Sequence, residues 1–134
     1  MAVSGMNHFT ILTDNLDATL AFYKEHLEFS PGPRPPFTFP GAWLYAAGGK
    51  DAILHVIAGR EKKDLVKGVL DHMAFTAQDL SGALAKLKAH AIAYELRKLP
   101  SYGTWQLFFV DPNGAKVELD FDSAEISPEA PTPR

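Results

Sequence analysis

The feature that most constrains this chain is an internal repeat. Shifting the first half forward by 64 positions lays His8 on His72, Leu16 on Leu80, Leu20 on Leu84, Ala21 on Ala85, Lys24 on Lys88 and His26 on His90. These are six identities in the 21 positions from Met6 to His26. Asn15 falls on Asp79, which keeps a side chain able to cap a helix N-terminus in both halves. A unit of this size used twice points to two modules joining their sheets, because a solenoid needs three or more repeats.

Each half predicts the same order of elements. Residues 6–12 alternate, with Phe9 and Ile11 on one face and His8 and Thr10 on the other, as a half-buried strand does. Asp14 and Asn15 offer caps for a helix over about 16–26, whose apolar stripe is Leu16, Leu20, Phe22, Tyr23 and Leu27. The run Pro31-Gly32-Pro33-Arg34-Pro35-Pro36 excludes a helix and a central strand. Residues 37–47 read as extended, 48–51 as a turn, 52–58 as a strand and 60–68 as a charged connector. The second half repeats this with a strand at 70–77, Asp79 as cap, a helix at about 80–91, and strands at 94–97, 105–110 and 115–121. Asp111-Pro112-Asn113-Gly114 is a hairpin turn, with proline presetting one angle and Asn-Gly accepting positive φ.

The expected fold is therefore α+β, two βαβββ modules forming a curved mixed sheet around a central cleft. One domain is expected over 1–122, with module one at about 5–60 and module two at about 69–122. The tail, 123–134, carries three prolines and little that could pack, so it is expected to be disordered or loosely attached.

Composition removes several function classes. A formal charge of −3 and the absence of a long Lys/Arg run argue against nucleic-acid binding. With no cysteine, disulfides, thiolate nucleophiles and thiolate-bound zinc are excluded. No signal peptide and no transmembrane-length apolar run is visible, so a cytoplasmic protein without membrane contact is the expectation. Gly48-Gly49-Lys50 is not a phosphate loop, since Leu44 stands where its first glycine is required. No nucleophile elbow or dinucleotide-binding fingerprint is present, and no organic cofactor is expected.

Chemistry concentrates at matched places in the repeat. His8 and His72 open the two halves; His55 and Glu118 close them. Neutral imidazole and carboxylate are common ligands of divalent transition metals. Each of the four lies opposite the strand face that carries the large apolar residues. His26 and His90 also match, but they sit at helix ends, where a cation favours the dipole, and are read as structural. Lys116 and Asp120 are read as a solvated or pocket-edge pair.

These residues carry a resemblance. Together with Ala21-Phe22-Tyr23, Leu70-Asp71-His72, Phe109-Val110-Asp111-Pro112-Asn113-Gly114 and Val117-Glu118-Leu119, they make residues 6 to about 122 similar to the vicinal oxygen chelate superfamily. That superfamily spans glyoxalase I, fosfomycin-resistance transferases, methylmalonyl-CoA epimerase, extradiol dioxygenases and bleomycin-resistance proteins. The resemblance implies a divalent metal (nickel, cobalt, zinc, manganese or iron(II)), with His8, His72 and Glu118 at its shared ligand positions and His55 at the variable fourth. A glutamate stands at that fourth position in glyoxalase I. Histidine here leaves three readings for His55: ligand, base or packed side chain.

The implied chemistry is Lewis-acid catalysis on a small substrate that chelates the metal through neighbouring oxygens, of the isomerase, lyase or transferase kind. The first alternative is an iron(II) or manganese ring-cleaving dioxygenase, with His55 and Tyr102 as candidate catalytic residues. The second is a metal-free binding protein of the bleomycin-resistance kind. Arg34, Arg97 and Tyr102 are candidates to hold a substrate anion; Phe37, Phe39, Trp43 and Trp105 are candidates to wall the pocket. A homodimer is expected, since members of this superfamily often pair two chains.

Overall fold

The structure, a computed structural model, describes residues 1–133. The chain divides into two compact units, Met1–Val66 and Lys67–Arg134. Both have the predicted βαβββ order, and the fold is α+β.

In the first unit, β1 (Phe9–Leu12) leads to α1 (Leu16–Leu27), then β2 (Ser30–Pro31), β3 (Gly41–Tyr45) and β4 (Ala52–Ile57). The sheet order is β1-β4-β3-β2, with β1 parallel to β4 and the other pairs antiparallel. Asn15 is the N-cap of α1, its side chain accepting from the amide of Ala18 at 3.0 Å. The core is the face formed by Ala42, Leu44, Leu54 and Val56, together with Phe22 and Tyr23 of the helix. Strand alternation therefore sends Trp43 and His55, which sit opposite each other in the ladder, to the other face. Gly41 is required where β3 begins: a Cβ there would lie 2.1 Å from the carbonyl oxygen of Val56.

The second unit runs β5 (Met73–Thr76), α2 (Leu80–Ala89), β6 (Tyr94–Lys98), β7 (Trp105–Val110) and β8 (Lys116–Phe121), in the order β5-β8-β7-β6. Asp79 caps α2 by accepting from the amide of Gly82 at 3.0 Å. Leu80, Leu84 and Leu87 of α2 join a core with Leu96, Leu107, Phe109, Val117, Leu119 and Phe121. The turn after β7 forms as its residues dictate. Asp111 accepts through Oδ1 from the amides of Asn113 and Ala115, both at 2.8 Å, and Gly114 takes φ 92°. The linker holds one 3₁₀ turn, Lys62–Asp64. Among the described residues, no helix is long and apolar enough to cross a membrane.

The tail departs from the expected disorder. Glu125 accepts from the amide of Leu80 at 2.7 Å and of Asp79 at 3.3 Å, satisfying donors at the start of α2. The indole of Trp105 donates to the Glu125 carbonyl at 3.0 Å. Glu129 accepts from the Tyr94 hydroxyl at 2.6 Å and pairs with Lys88. Thr132 exchanges hydrogen bonds with Leu96, each 2.8 Å, along the open edge of β6. The tail is thus held by polar groups at an exposed helix start and an exposed sheet edge, which its proline content does not reveal.

Candidate metal centre

In the second unit His72 lies one residue before β5, and Glu118 is central in β8, opposite Ala74 on one side and Phe108 on the other. His72 Nε2 is 3.1 Å from Glu118 Oε1. The other ring nitrogen, Nδ1, is 2.8 Å from Asp71 Oδ2. A carboxylate oxygen only accepts, so Nδ1 carries the proton of a neutral ring. The Nε2 lone pair then faces a carboxylate oxygen. Glu118 is 5% exposed. Burial first, then the hydrogen bond and charge of Asp120, push its carboxyl up to about 7; His72 and the amide of Gln106, 3.3 Å away, pull the other way. Asp120 Oδ1 is buried without a hydrogen-bond partner among the described residues. Lys116 pairs with Asp71 at 3.6 Å rather than with Asp120 as expected. Asp71 in turn is held below its usual carboxylate range, chiefly by its hydrogen bond to His72 and then by Lys116.

In the first unit His8 lies one residue before β1, and its ring stacks on that of His55 at 3.7 Å between centroids and 12° between planes. Trp43 covers the other face of His55 at 4.1 Å. His8 Nδ1 is 2.7 Å from Asn7 Oδ1, and His55 Nε2 is 3.1 Å from the Ala52 carbonyl oxygen. Burial first, then the charge of His8, lowers the pKa of His55, and its hydrogen bond to the Ala52 carbonyl opposes them. Imidazole lone pairs lie in the ring plane. Two nearly parallel rings at this separation do not direct them at one ion.

The remaining candidates are less convergent. Arg34 donates to the Phe39 carbonyl at 2.9 Å and lies over the rings of Phe37 and Phe39 at 5.0 and 5.1 Å. Phe37 continues the aromatic run to Trp43 at 6.3 Å. Arg97 shares the face of Glu118 in the ladder, but its guanidinium is taken by Glu95 at 3.0 Å and the Thr132 carbonyl at 2.7 Å. Tyr102 is 81% exposed in the loop between β6 and β7. Trp105 is a correction to the expected pocket wall. Paired with Phe121, it faces the core on the side away from Glu118, with Lys98 over its ring at 4.4 Å.

The structure thus yields two donor pairs, one per unit, and no group of three metal-ligating side chains among the described residues. The second pair fits a cation on its own terms, with a lone pair, a buried carboxylate and an unsatisfied buried oxygen on one face. The residues overlooked by sequence reasoning are Asn7 and Asp71. The repeat itself holds the signal, because shifting by 64 positions lays one on the other beside the histidines.

A family model described as the Glyoxalase/Bleomycin resistance protein/Dioxygenase superfamily matches residues 5–119. The chain belongs to that superfamily. It is 30% identical over 136 residues to glyoxylase I 4 of Arabidopsis thaliana, covering 94% of this chain and 76% of the relative. Among solved structures it is similar to a glyoxylase/bleomycin resistance protein/dioxygenase domain from Frankia sp. EAN1pec, with a TM-score of 0.71 and 22% identity over 90% of this chain and 99% of that one. It is also similar in fold to a variant of the fosfomycin resistance protein FosX from Listeria monocytogenes, complexed with Mn(II) and 1S,2S-dihydroxypropylphosphonic acid. There the TM-score is 0.72 and the identity 18%, over 92% of this chain and 95% of that one.

Proposed function

We propose that this protein is a divalent-metal-dependent enzyme in which His72 and Glu118 of the second module hold the ion. The observation that carries this reading is the His72 Nε2 to Glu118 Oε1 contact at 3.1 Å, with Nδ1–H donating its hydrogen bond to Asp71. Two electron-pair donors face each other there, and only a proton or a metal ion between them makes the contact favourable. Burial and the neighbouring Asp120 raise the Glu118 carboxyl to about 7, which favours a proton at this contact when no ion is bound.

A bound divalent ion supplies Lewis acidity towards a small substrate with neighbouring oxygens. The chain's own groups do the rest. Glu118 and His72 fix the donor positions. His55, stacked between His8 and Trp43, holds the His8 ring in place. Within the first module Trp43, Phe37 and Phe39 form an aromatic run, with Arg34 lying over the two phenylalanine rings.

Elemental analysis of the purified protein tests the reading. A stoichiometric divalent metal is expected, removed by chelator and restored by nickel, cobalt, zinc, manganese or iron(II). Failure to bind any of them contradicts the proposal, and small-molecule binding indifferent to chelator would establish a metal-free binding protein instead. The second reading is a ring-cleaving dioxygenase. The donor chemistry of the His72–Glu118 pair favours it, because imidazole and carboxylate are the ligand types of non-haem iron(II) oxygenases. Oxygen uptake by the iron-loaded protein with catechols tests that reading, and no uptake counts against it.

A further inference from the structure

We infer that Asn7 and Asp71 are a duplicated pair of positioning residues that place the imidazole proton on Nδ1 of His8 and His72, making Nε2 the donor atom of both. The inference rests on the metal reading above for its purpose, but not for its geometry. In each module the residue directly before the histidine turns its side-chain oxygen onto Nδ1, at 2.7 Å for Asn7 and 2.8 Å for Asp71. Both oxygens are acceptors, so each ring must donate from Nδ1. Free imidazole side chains in water favour the opposite tautomer, with the proton on Nε2. Two rings held in the less common form at repeat-equivalent places mark a shared requirement, and a free Nε2 lone pair on each ring meets it.

The pair is asymmetric. Asn7 is neutral, whereas Asp71 is a carboxylate, bridged to Lys116 at 3.6 Å. A hydrogen bond from imidazole to carboxylate raises the basicity of the opposite ring nitrogen more than one to an amide does. His72, the ring that faces Glu118, is therefore the stronger donor, and His8 the weaker. In metalloproteins such orienting partners influence metal affinity by 10–100-fold, and the exposure of Asp71 places its effect near about tenfold.

The test begins on the metal-free protein, with long-range ¹H–¹⁵N spectra of the two rings at a pH where both are neutral. Nδ1–H is expected for His8 and His72 in the wild type. Asn7→Ala and Asp71→Ala should each move only the neighbouring ring to Nε2–H, while Asp71→Asn keeps the proton on Nδ1. Both side chains are exposed, so the variants should fold, which circular dichroism checks. Divalent-metal titration should then show about tenfold weaker binding in Asp71→Ala and a smaller loss in Asp71→Asn. Nε2–H in the wild type, or unchanged rings in both alanine variants, overturns the inference even if metal binds. The expected tautomers in a protein that binds no metal would keep the positioning and discard the metal reading.

Discussion

Glu118 is buried at a cost in the metal-free chain, and that cost has a sign in pH. Its carboxyl is raised from an ordinary 4.5 to about 7 in the folded protein. The folded state therefore holds a proton that the unfolded state has released between those values, so stability falls as pH rises through this window. Above it the full penalty remains, up to about 3 kcal/mol for a shift of this size. Glu118→Gln should consequently raise the melting temperature of the metal-free protein by several degrees above neutral pH, and change it little in acid. Thermal melts of both proteins across pH check this, and equal pH dependence would contradict it. His55 carries the complementary expectation. His55→Phe keeps a ring between His8 and Trp43 and should hold the melting temperature, whereas His55→Ala should lower it. Equal thermal melts of the two variants would contradict a stacking role for His55.

The elements obey their local chemistry closely, and caps and tail can be tested separately. Removing the oxygen that receives the Ala18 amide, in Asn15→Ala, should destabilise the protein by about 1 kcal/mol, read by denaturant unfolding. The tail acts through distant partners. Glu125 reaches the amide of Leu80 across 45 positions, and Thr132 reaches Leu96 across 36. Truncation before Glu125 should lower the melting temperature and leave two amides at the start of α2 without their carboxylate. Glu129 gives this strap a pH response. Its pKa is lowered first by its hydrogen bond to Lys88 and then by that to Tyr94. A depressed carboxylate stabilises the fold above its unfolded pKa, and that contribution is lost as pH falls through the folded one. The protection factor of the Leu96 amide, its exchange rate relative to the unstructured chain at the same pH, should fall in acid in the wild type and already be low at neutral pH in Glu129→Gln; identical protection in both would contradict the role.

At the scale of the whole molecule, what is legible in the sequence is what is local or duplicated. Asn15, Asp79 and the Asp111–Gly114 turn act on amides within a few residues, so their effects can be read from spacing alone. Strand alternation likewise places His55 and Glu118 away from the helix-covered faces, and the structure bears this out in each module. The same rule, applied to β7 with its register, puts Trp105 in the core; without the register, its aromatic ring suggests a pocket wall. The order of the tail was not legible, because nothing in its composition marks distant amides and a sheet edge in need of partners. Ring orientation was not legible either. Whether His55 stacks or converges on an ion depends on side-chain rotation, which spacing does not encode. Membership of the superfamily follows from a match along residues 5–119, while the ring stacking of His55 and the contact of His72 with Glu118 need the structure.

The central claim is that His72 and Glu118 together hold a divalent ion, and calorimetric metal titration of the wild type beside His72→Ala and Glu118→Ala tests it most directly. Saturable binding in the wild type, lost in both variants while their folded circular dichroism is retained, is the predicted result. No binding by the wild type, or undiminished binding in both variants, would contradict the account.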